Sequence, residues 1–310
     1  TARRARDWFE IRMTPEQREY FLPRFVNDDT YFTTVANHEP DTDLGFDYFT
    51  ETPENVAFRT RAVEQKDGSW LINGAKNFQT IGYVAKLLAV GAQTDQGPRV
   101  FLVEGDSPGL VRHPMSKIGR RVGDNAEIFF DNVRVPAGRI MGPAPRERTD
   151  IGTITTIAAL TLGLGRSALE VTRDYIRERK SGGKLIMKHQ AVGLHLAEMA
   201  MNLEAARNMI WKAAWLKDHP EAIAEGHVED LPYTSMAEAF TGTAVQRLTE
   251  MGVDLFGGMG VISGMPIEKY VRDGIVQKHI SFPFPTRLRI AEHVMGFKRK
   301  VASLLGSGSN

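Results

Sequence analysis

Trp70-Leu-Ile-Asn-Gly-Ala-Lys-Asn-Phe-Gln-Thr-Ile-Gly82 is the stretch on which the reading of this chain turns. The apolar run Trp70–Ile72 predicts a short strand, and Asn73-Gly74 predicts the turn that ends it, because both residues tolerate the positive φ of tight turns. The same texture continues on both sides, from about Phe32 to Ile140. Ala57–Glu64, Leu87–Ala92, Arg99–Val103 and Ile128–Val135 are rich in β-branched, apolar or aromatic residues. Between them lie Asp67-Gly68, Asp95-Gln96-Gly97 and Ser107-Pro108-Gly109, each able to turn the chain. Short strands at this spacing predict an antiparallel sandwich or barrel.

Helical patterning flanks that region. Trp8, Ile11, Tyr20, Phe21 and Leu22 surround Thr14-Pro15-Glu16-Gln17, where Thr14 suits an N-cap and Pro15 the first turn; the helix is expected to stop near Pro23. Beyond Gly142-Pro143, apolar residues fall at helical spacing: Ala168, Val171, Thr172, Tyr175 and Ile176, then Val192, Leu196, Met199, Ala200, Leu203 and Ala206. The second of these helices should continue through Trp211 and Trp215 to His219-Pro220, and a further one is expected from Ser235 to Met251, ending at Gly252. The order is a helical stub, a β domain and an antiparallel helical bundle.

Composition narrows the function. Hydrophobic residues make up 42% and charged residues 25% of 310, which fits a soluble globular chain with a sizeable core. Thirty-nine basic against 38 acidic residues leave +1, so there is no overall field to capture nucleic acid or an anionic membrane. With no cysteine, a thiolate nucleophile, a disulfide framework and a Cys-ligated metal are excluded. The eight histidines show no paired spacing suited to zinc, and no metal site is expected. Mean hydropathy is −0.27, and Ile151–Leu164 falls short of the ~20 apolar residues of a membrane span. The amino terminus has no apolar core of a secretory signal, and a cytoplasmic location is expected.

Three motifs carry alternatives. Gly163-Leu-Gly165-Arg-Ser-Ala168 imitates a dinucleotide fingerprint, but no acidic residue and strand follow at the required distance, and close helix packing explains its glycines better. Gly257-Gly258-Met259-Gly260 reads either as a helix C-cap cluster or as backbone left open for a phosphate-bearing cofactor. Ser281-Phe282-Pro283-Phe284-Pro285 reads as a stiff apolar loop or a pocket rim.

Together these segments resemble the acyl-CoA dehydrogenase family of flavoproteins across nearly the whole chain. The resemblance rests on Thr14-Pro-Glu-Gln17 with Tyr20-Phe-Leu-Pro23, His38-Glu39-Pro40 in place of Thr-Glu-Pro, and the Ile72–Gly82 segment. It continues with Phe101–Gly109, Lys117-Ile-Gly119 and Phe130–Pro136, then Gly165–Leu169, Tyr175–Arg179, Gln190, Met199, Phe256–Gly260 and Pro266–Asp273. It implies an α+β multidomain fold: 1–27 as the end of an N-terminal helical domain otherwise missing, 28–145 as an antiparallel β-barrel or sandwich, 146–305 as a C-terminal four-helix bundle, and 306–310 as a flexible tail.

The resemblance also implies FAD as cofactor, an acyl-CoA thioester as substrate, electron-transfer flavoprotein or a similar acceptor as partner, and a homo-tetramer or a heteromer with a related subunit. By position, Val35, Asn37 and His38 would give backbone contacts near the isoalloxazine. Phe78 stands where an aromatic packs on the ring, and Thr80 where a hydroxyl bonds it. Arg179 matches the arginine that meets pyrophosphate from the neighbouring subunit, with Gly257 and Gly258 beside it.

Two family positions are filled unexpectedly. Dehydrogenation at the α,β carbons needs a carboxylate base, and the two slots the family uses for it are Ser281 and Thr153 here. Asp150, three residues before Thr153, is the one nearby carboxylate and the candidate base. Asp41–Gly45 also replaces the family's usual loop over the flavin. Three readings follow: an enzyme acting on an unusual acyl-CoA, a base-lacking subunit of a heteromeric dehydrogenase, and a flavin-dependent monooxygenase on the same fold.

Overall fold

The computed structural model of the protein describes residues 6–40, 57–142, 151–280 and 283–296. Among these, residues 6–116 and 121–142 form one compact unit, and 117–120 with 151–296 form another.

The first unit opens with a π-helical segment, Arg6–Arg12, and helix α1, Pro15–Val26. Thr14 caps α1 as expected: its hydroxyl accepts from the Gln17 amide at 3.2 Å, and the Gln17 side chain accepts from the Thr14 amide at 3.2 Å. The helix does not stop at Pro23. Proline sits in the last turn, where it deletes one hydrogen bond, and Asn27 N still donates to Pro23 O at 3.0 Å to close the end.

Eight strands follow: β1 Thr33–Ala36, β2 Arg61–Glu64, β3 Trp70–Thr80, β4 Leu87–Thr94, β5 Gly97–Glu104, β6 Leu110–Pro114, β7 Asn125–Val135 and β8 Ile140–Met141. They form one sheet in the order β6-β7-β3-β2-β4-β5-β8, with β1 also on β4. Most pairs are antiparallel, but β1 runs parallel to β4, and β2 meets β4 in parallel at one residue pair. Neither pair is joined by a hairpin, so chain connection does not impose the antiparallel direction. Alternate residues of β4 face two clusters. Leu88 and Val90 join Ile72, Phe101, Ile128, Phe130 and Val133, whereas Leu87 and Ala89 pack with Val100 and Leu102 under Trp8, Phe9, Met13 and Phe21.

Asn73-Gly74 does not turn the chain. Both lie within β3, at a register shift against β7 between Ile72 and Gly74. Gly74 has φ +143°, and a Cβ there would lie 2.6 Å from Thr60 Cα. The glycine answers a crossing backbone instead of a hairpin.

The second unit contains α2 Ile151–Glu178, a small hairpin of β9 Lys180–Ser181 and β10 Lys184–Leu185, α3 Gln190–Asp218, the short α4 Glu221–Ala224, α5 Tyr233–Phe256, α6 Pro266–Ile280 and α7 Pro283–Met295. The expected four helices are thus five of thirteen residues or more among the described residues. Helix α5 is the centre, packed on α2, α3, α6 and α7. It runs past Gly252 to Phe256, because Gly252 is a packing residue and not a cap: a Cβ there would lie 2.5 Å from Ile267 Cδ1 and 3.0 Å from Thr172 Oγ1. Gly165 plays the same part inside α2, where a Cβ would come within 2.8 Å of Val245 Cγ2. The apolar run before Gly163 belongs to that same helix, not to a strand, and close packing accounts for Gly165.

Lys117–Arg120 lies by sequence within the expected β domain, yet it belongs to the helical unit. Arg120 N donates to Asp273 Oδ1 at 2.6 Å, Arg272 Nη1 donates to Ile118 O at 2.9 Å, and Gly119 lies too close to Arg272 O to carry a Cβ. Among the described residues no helix is long and apolar enough to cross a membrane.

Candidate functional site

The first unit brings most of the expected flavin residues together around one irregularity. Regular alternation along β3 would put Phe78 on the same face as Lys76, inside the sheet. The register against β7 instead shifts between Lys76 and Gln79, and Phe78 takes φ +53°. Lys76 and Gln79 therefore both point inward, while the Phe78 ring stands out at 61% exposure. An outward aromatic on a strained residue needs a reason, and a flat ligand packed on it supplies one.

Hydrogen bonds hold this edge. Asn125 Nδ2 donates to Phe78 O at 2.9 Å and lies 3.4 Å from Thr80 Oγ1, so the exposed Thr80 hydroxyl keeps its proton to give. Thr34 Oγ1 donates to Thr80 O at 2.7 Å, tying β1 to the end of β3. His38 O accepts from Asn77 N at 3.0 Å and from Gln79 Nε2 at 3.1 Å. Val35 pairs with Ala89 and packs toward the outer cluster, leaving only its backbone for a ligand. Asn37 Oδ1 is buried with no hydrogen-bond donor among the described residues, and a Cβ on Gly91 would come within 2.7 Å of it.

Beneath this edge lies a buried ion pair that patterning alone did not single out. Lys76 Nζ is 2.6 Å from Glu39 Oε1, and both side chains are sealed from water. Glu39 also accepts from the amides of Arg59 at 2.6 Å and Thr60 at 3.0 Å, and the Lys76 ammonium sits 4.1 Å over the Phe58 ring. Burial draws Lys76 down to about 8, against the opposing pull of Glu39. Burial pushes Glu39 up, but the Lys76 contact and the Thr60 and Arg59 hydrogen bonds outweigh it and hold the carboxyl below its usual range. His38 keeps accessible surface, yet the surrounding protein, and then the Lys76 charge, lower its pKa. The alternation of β3 was the available signal: a lysine four positions after the buried Ile72 needs an inward partner.

The second unit holds the phosphate-side candidates. Arg179 follows α2, is exposed, and makes no side-chain hydrogen bond or ion pair among the described residues, so its fork of donors is open. The Tyr175 ring stacks on Phe256 at 3.9 Å and 9°, which brings the end of α2 to the end of α5, where Gly257 and Gly258 begin a 3₁₀ turn. Gly257 has φ +60° and caps α5, which explains that glycine. Gly258 has no such reason: a Cβ there would meet nothing within 4 Å. Gly260, by contrast, is packed against Val253 O at 2.5 Å. Backbone with open space beside it at Gly258 and an unengaged arginine fit a phosphate ligand, and the outward ring and oriented hydroxyl of the first unit fit a flavin ring.

The base positions are only partly visible. Thr153 falls in the first turn of α2, while Asp150 and Ser281 lie outside the described residues, as does the replaced loop Asp41–Gly45.

Comparison with known proteins matches residues 52–133 to the middle domain of acyl-CoA dehydrogenase and residues 154–278 to its C-terminal domain. A cyclohex-1-ene-1-carbonyl-CoA dehydrogenase of Geobacter metallireducens is 34% identical over 271 residues, covering 84% of this chain and 67% of that protein. The chain belongs to the acyl-CoA dehydrogenase family. Another relative, a cyclohex-1-ene-1-carbonyl-CoA dehydrogenase of Syntrophus aciditrophicus, is 32% identical over 84% of this chain and 62% of its own length. The chain thus spans about two thirds of such acyl-CoA dehydrogenase relatives, and 57% of some others. The butyryl-CoA dehydrogenase of Megasphaera elsdenii shares the fold at a TM-score of 0.73 and 27% identity, over 91% of this chain and 72% of that one.

Proposed function

We propose that this member of the family is part of an FAD-dependent oxidoreductase acting at the α and β carbons of an acyl-CoA thioester. The observation that carries the reading is the outward Phe78 with the oriented Thr80 hydroxyl, on a chain of this family. FAD, when bound, accepts the hydride that leaves the β-carbon. Phe78 packs on its ring, Thr80 donates a hydrogen bond to it, the backbone at Val35, Asn37 and His38 lines its edge, and Arg179 with Gly257 and Gly258 meets the pyrophosphate of a neighbouring subunit. Asp150 takes the α-proton as general base. Relatives named for cyclohexene carbonyl-CoA make an alicyclic acyl group the first substrate to try, and electron-transfer flavoprotein is the proposed acceptor.

Serine and threonine in the two base slots favour one second reading, a base-lacking subunit whose related partner supplies the carboxylate. A single experiment separates them. The purified protein is mixed anaerobically with a panel of acyl-CoAs that includes cyclohex-1-ene-1-carbonyl-CoA, while the flavin absorbance is followed. Bleaching that is lost in Asp150→Asn supports the first reading. Bleaching unchanged in Asp150→Asn removes Asp150 as the base. Flavin bound only after co-expression with a second family protein supports the subunit, and flavin that no thioester bleaches but that reacts with O₂ once reduced by a reductase points to a monooxygenase.

A further inference from the structure

The Glu39–Lys76 pair has no place in that chemistry, and its cost is high. Two charges removed from water are expensive, and apolar residues of similar volume often serve stability as well or better. What the pair does uniquely is join two segments. Glu39 is the neighbour of His38, on the stretch after β1; Lys76 stands at the residue where the β3 register breaks to turn Phe78 outward. Lys76 Nζ also lies 3.5 Å from Asn37 O, and the His38 carbonyl takes donors from Asn77 and Gln79 on the two sides of Phe78. Every strand residue from Lys76 to Gln79 is thereby either anchored to the 37–39 backbone or displayed by that anchoring.

We infer that Glu39–Lys76 is a positioning pair: it locks the Asn37–His38 backbone to the Phe78 bulge, and through that arrangement governs FAD affinity and the flavin's reduction potential instead of the stability of the fold. The inference rests on the reading of the chain as a flavoprotein. Among the described residues the groups around Lys76 are few. Glu39 and His38 face it from the 37–39 stretch, the Phe58 ring lies against its ammonium, the Arg59 and Thr60 amides close the Glu39 side, and its cross-strand neighbour on β7 is the apolar Ile128. Among the described residues, Glu39 is the one charge that contributes to its titration.

The test compares wild type with Glu39→Gln/Lys76→Met, which removes both charges and keeps an oxygen to accept from the Arg59 and Thr60 amides. FAD is titrated into the flavin-free protein, the midpoint potential of the loaded protein is measured, and thermal unfolding is followed without flavin. The double variant should unfold near the wild-type temperature, bind FAD about tenfold more weakly, as when a supporting contact is removed, and show a more negative potential. Wild-type affinity and potential in the double variant overturn the inference, and so does a double variant that cannot fold, because the pair would then serve the fold. A second measurement needs no substitution: wild-type FAD affinity, titrated from neutral pH upward, should fall as Lys76 loses its proton above about 8, and a flat profile overturns the inference. If wild type takes up no FAD at any pH, it is the flavoprotein reading that has failed.

Discussion

Phe78 shows why the site was half legible. Its aromatic character and the hydroxyl of Thr80 could be read directly, but that the ring faces outward depends on a register shift at Lys76/Gln79 that no local signal announces. Asn125, which aligns both residues, comes from a strand 45 positions away and was invisible for the same reason. The Glu39–Lys76 pair was nearer to view, since a lysine at an inward strand position demands a counter-charge. One titration follows. His38 should protonate below the ordinary 6.5, because burial and then the Lys76 charge disfavour its cation. The unfolded chain takes up that proton first, so this group's contribution to stability falls as pH drops below 6.5. Proton NMR of the imidazole checks the midpoint, which should move upward in Glu39→Gln/Lys76→Met as the Lys76 charge is lost; a midpoint at or above 6.5 in wild type contradicts the argument.

Helices were more legible than strands, and the exceptions share a cause. Thr14 marked the start of α1, His219 the end of α3, and apolar spacing marked α2 and α3 as helices, because caps and spacing are local. Pro23, Gly74 and Gly252 were read as breaks, yet each sits inside its element, and for the two glycines the reason is a neighbour distant in sequence. The same contrast makes two glycines of α2 behave oppositely. Gly163 has open space where a Cβ would go, whereas at Gly165 it would press on Val245 and Leu203. Gly163→Ala should stabilise the helix by up to about 1 kcal/mol through backbone entropy. Gly165→Ala should destabilise by about 1–3 kcal/mol through overpacking. Urea unfolding of the two variants measures both, and equal effects would show that the α2–α5 contact is looser than described.

For the molecule as a whole, the α+β architecture was readable from texture alone, but its partition was not: Lys117–Arg120 sits mid-way through the strand-rich region and groups with helices through Asp273 and Arg272. If FAD is shared between neighbouring subunits, Phe78→Ala and Arg179→Ala damage opposite sides of each site. Either variant alone should bind FAD weakly, and unfolding and refolding the two together should restore one intact site in each mixed pair. No recovery in the mixture would place Phe78 and Arg179 on the same chain's site. The first residues of the chain carry a practical consequence of a different kind. Trp8, Phe9, Met13 and Phe21 cover Leu87, Ala89, Val100 and Leu102 on the outer side of β4 and β5. Trimming the protein at residue 28, the boundary that the family resemblance implies, would strip that cover and leave a greasy, strand-backed surface open to water. Anyone preparing the β unit for crystallisation or display should therefore keep the helical lead-in, or expect inclusion bodies in its place.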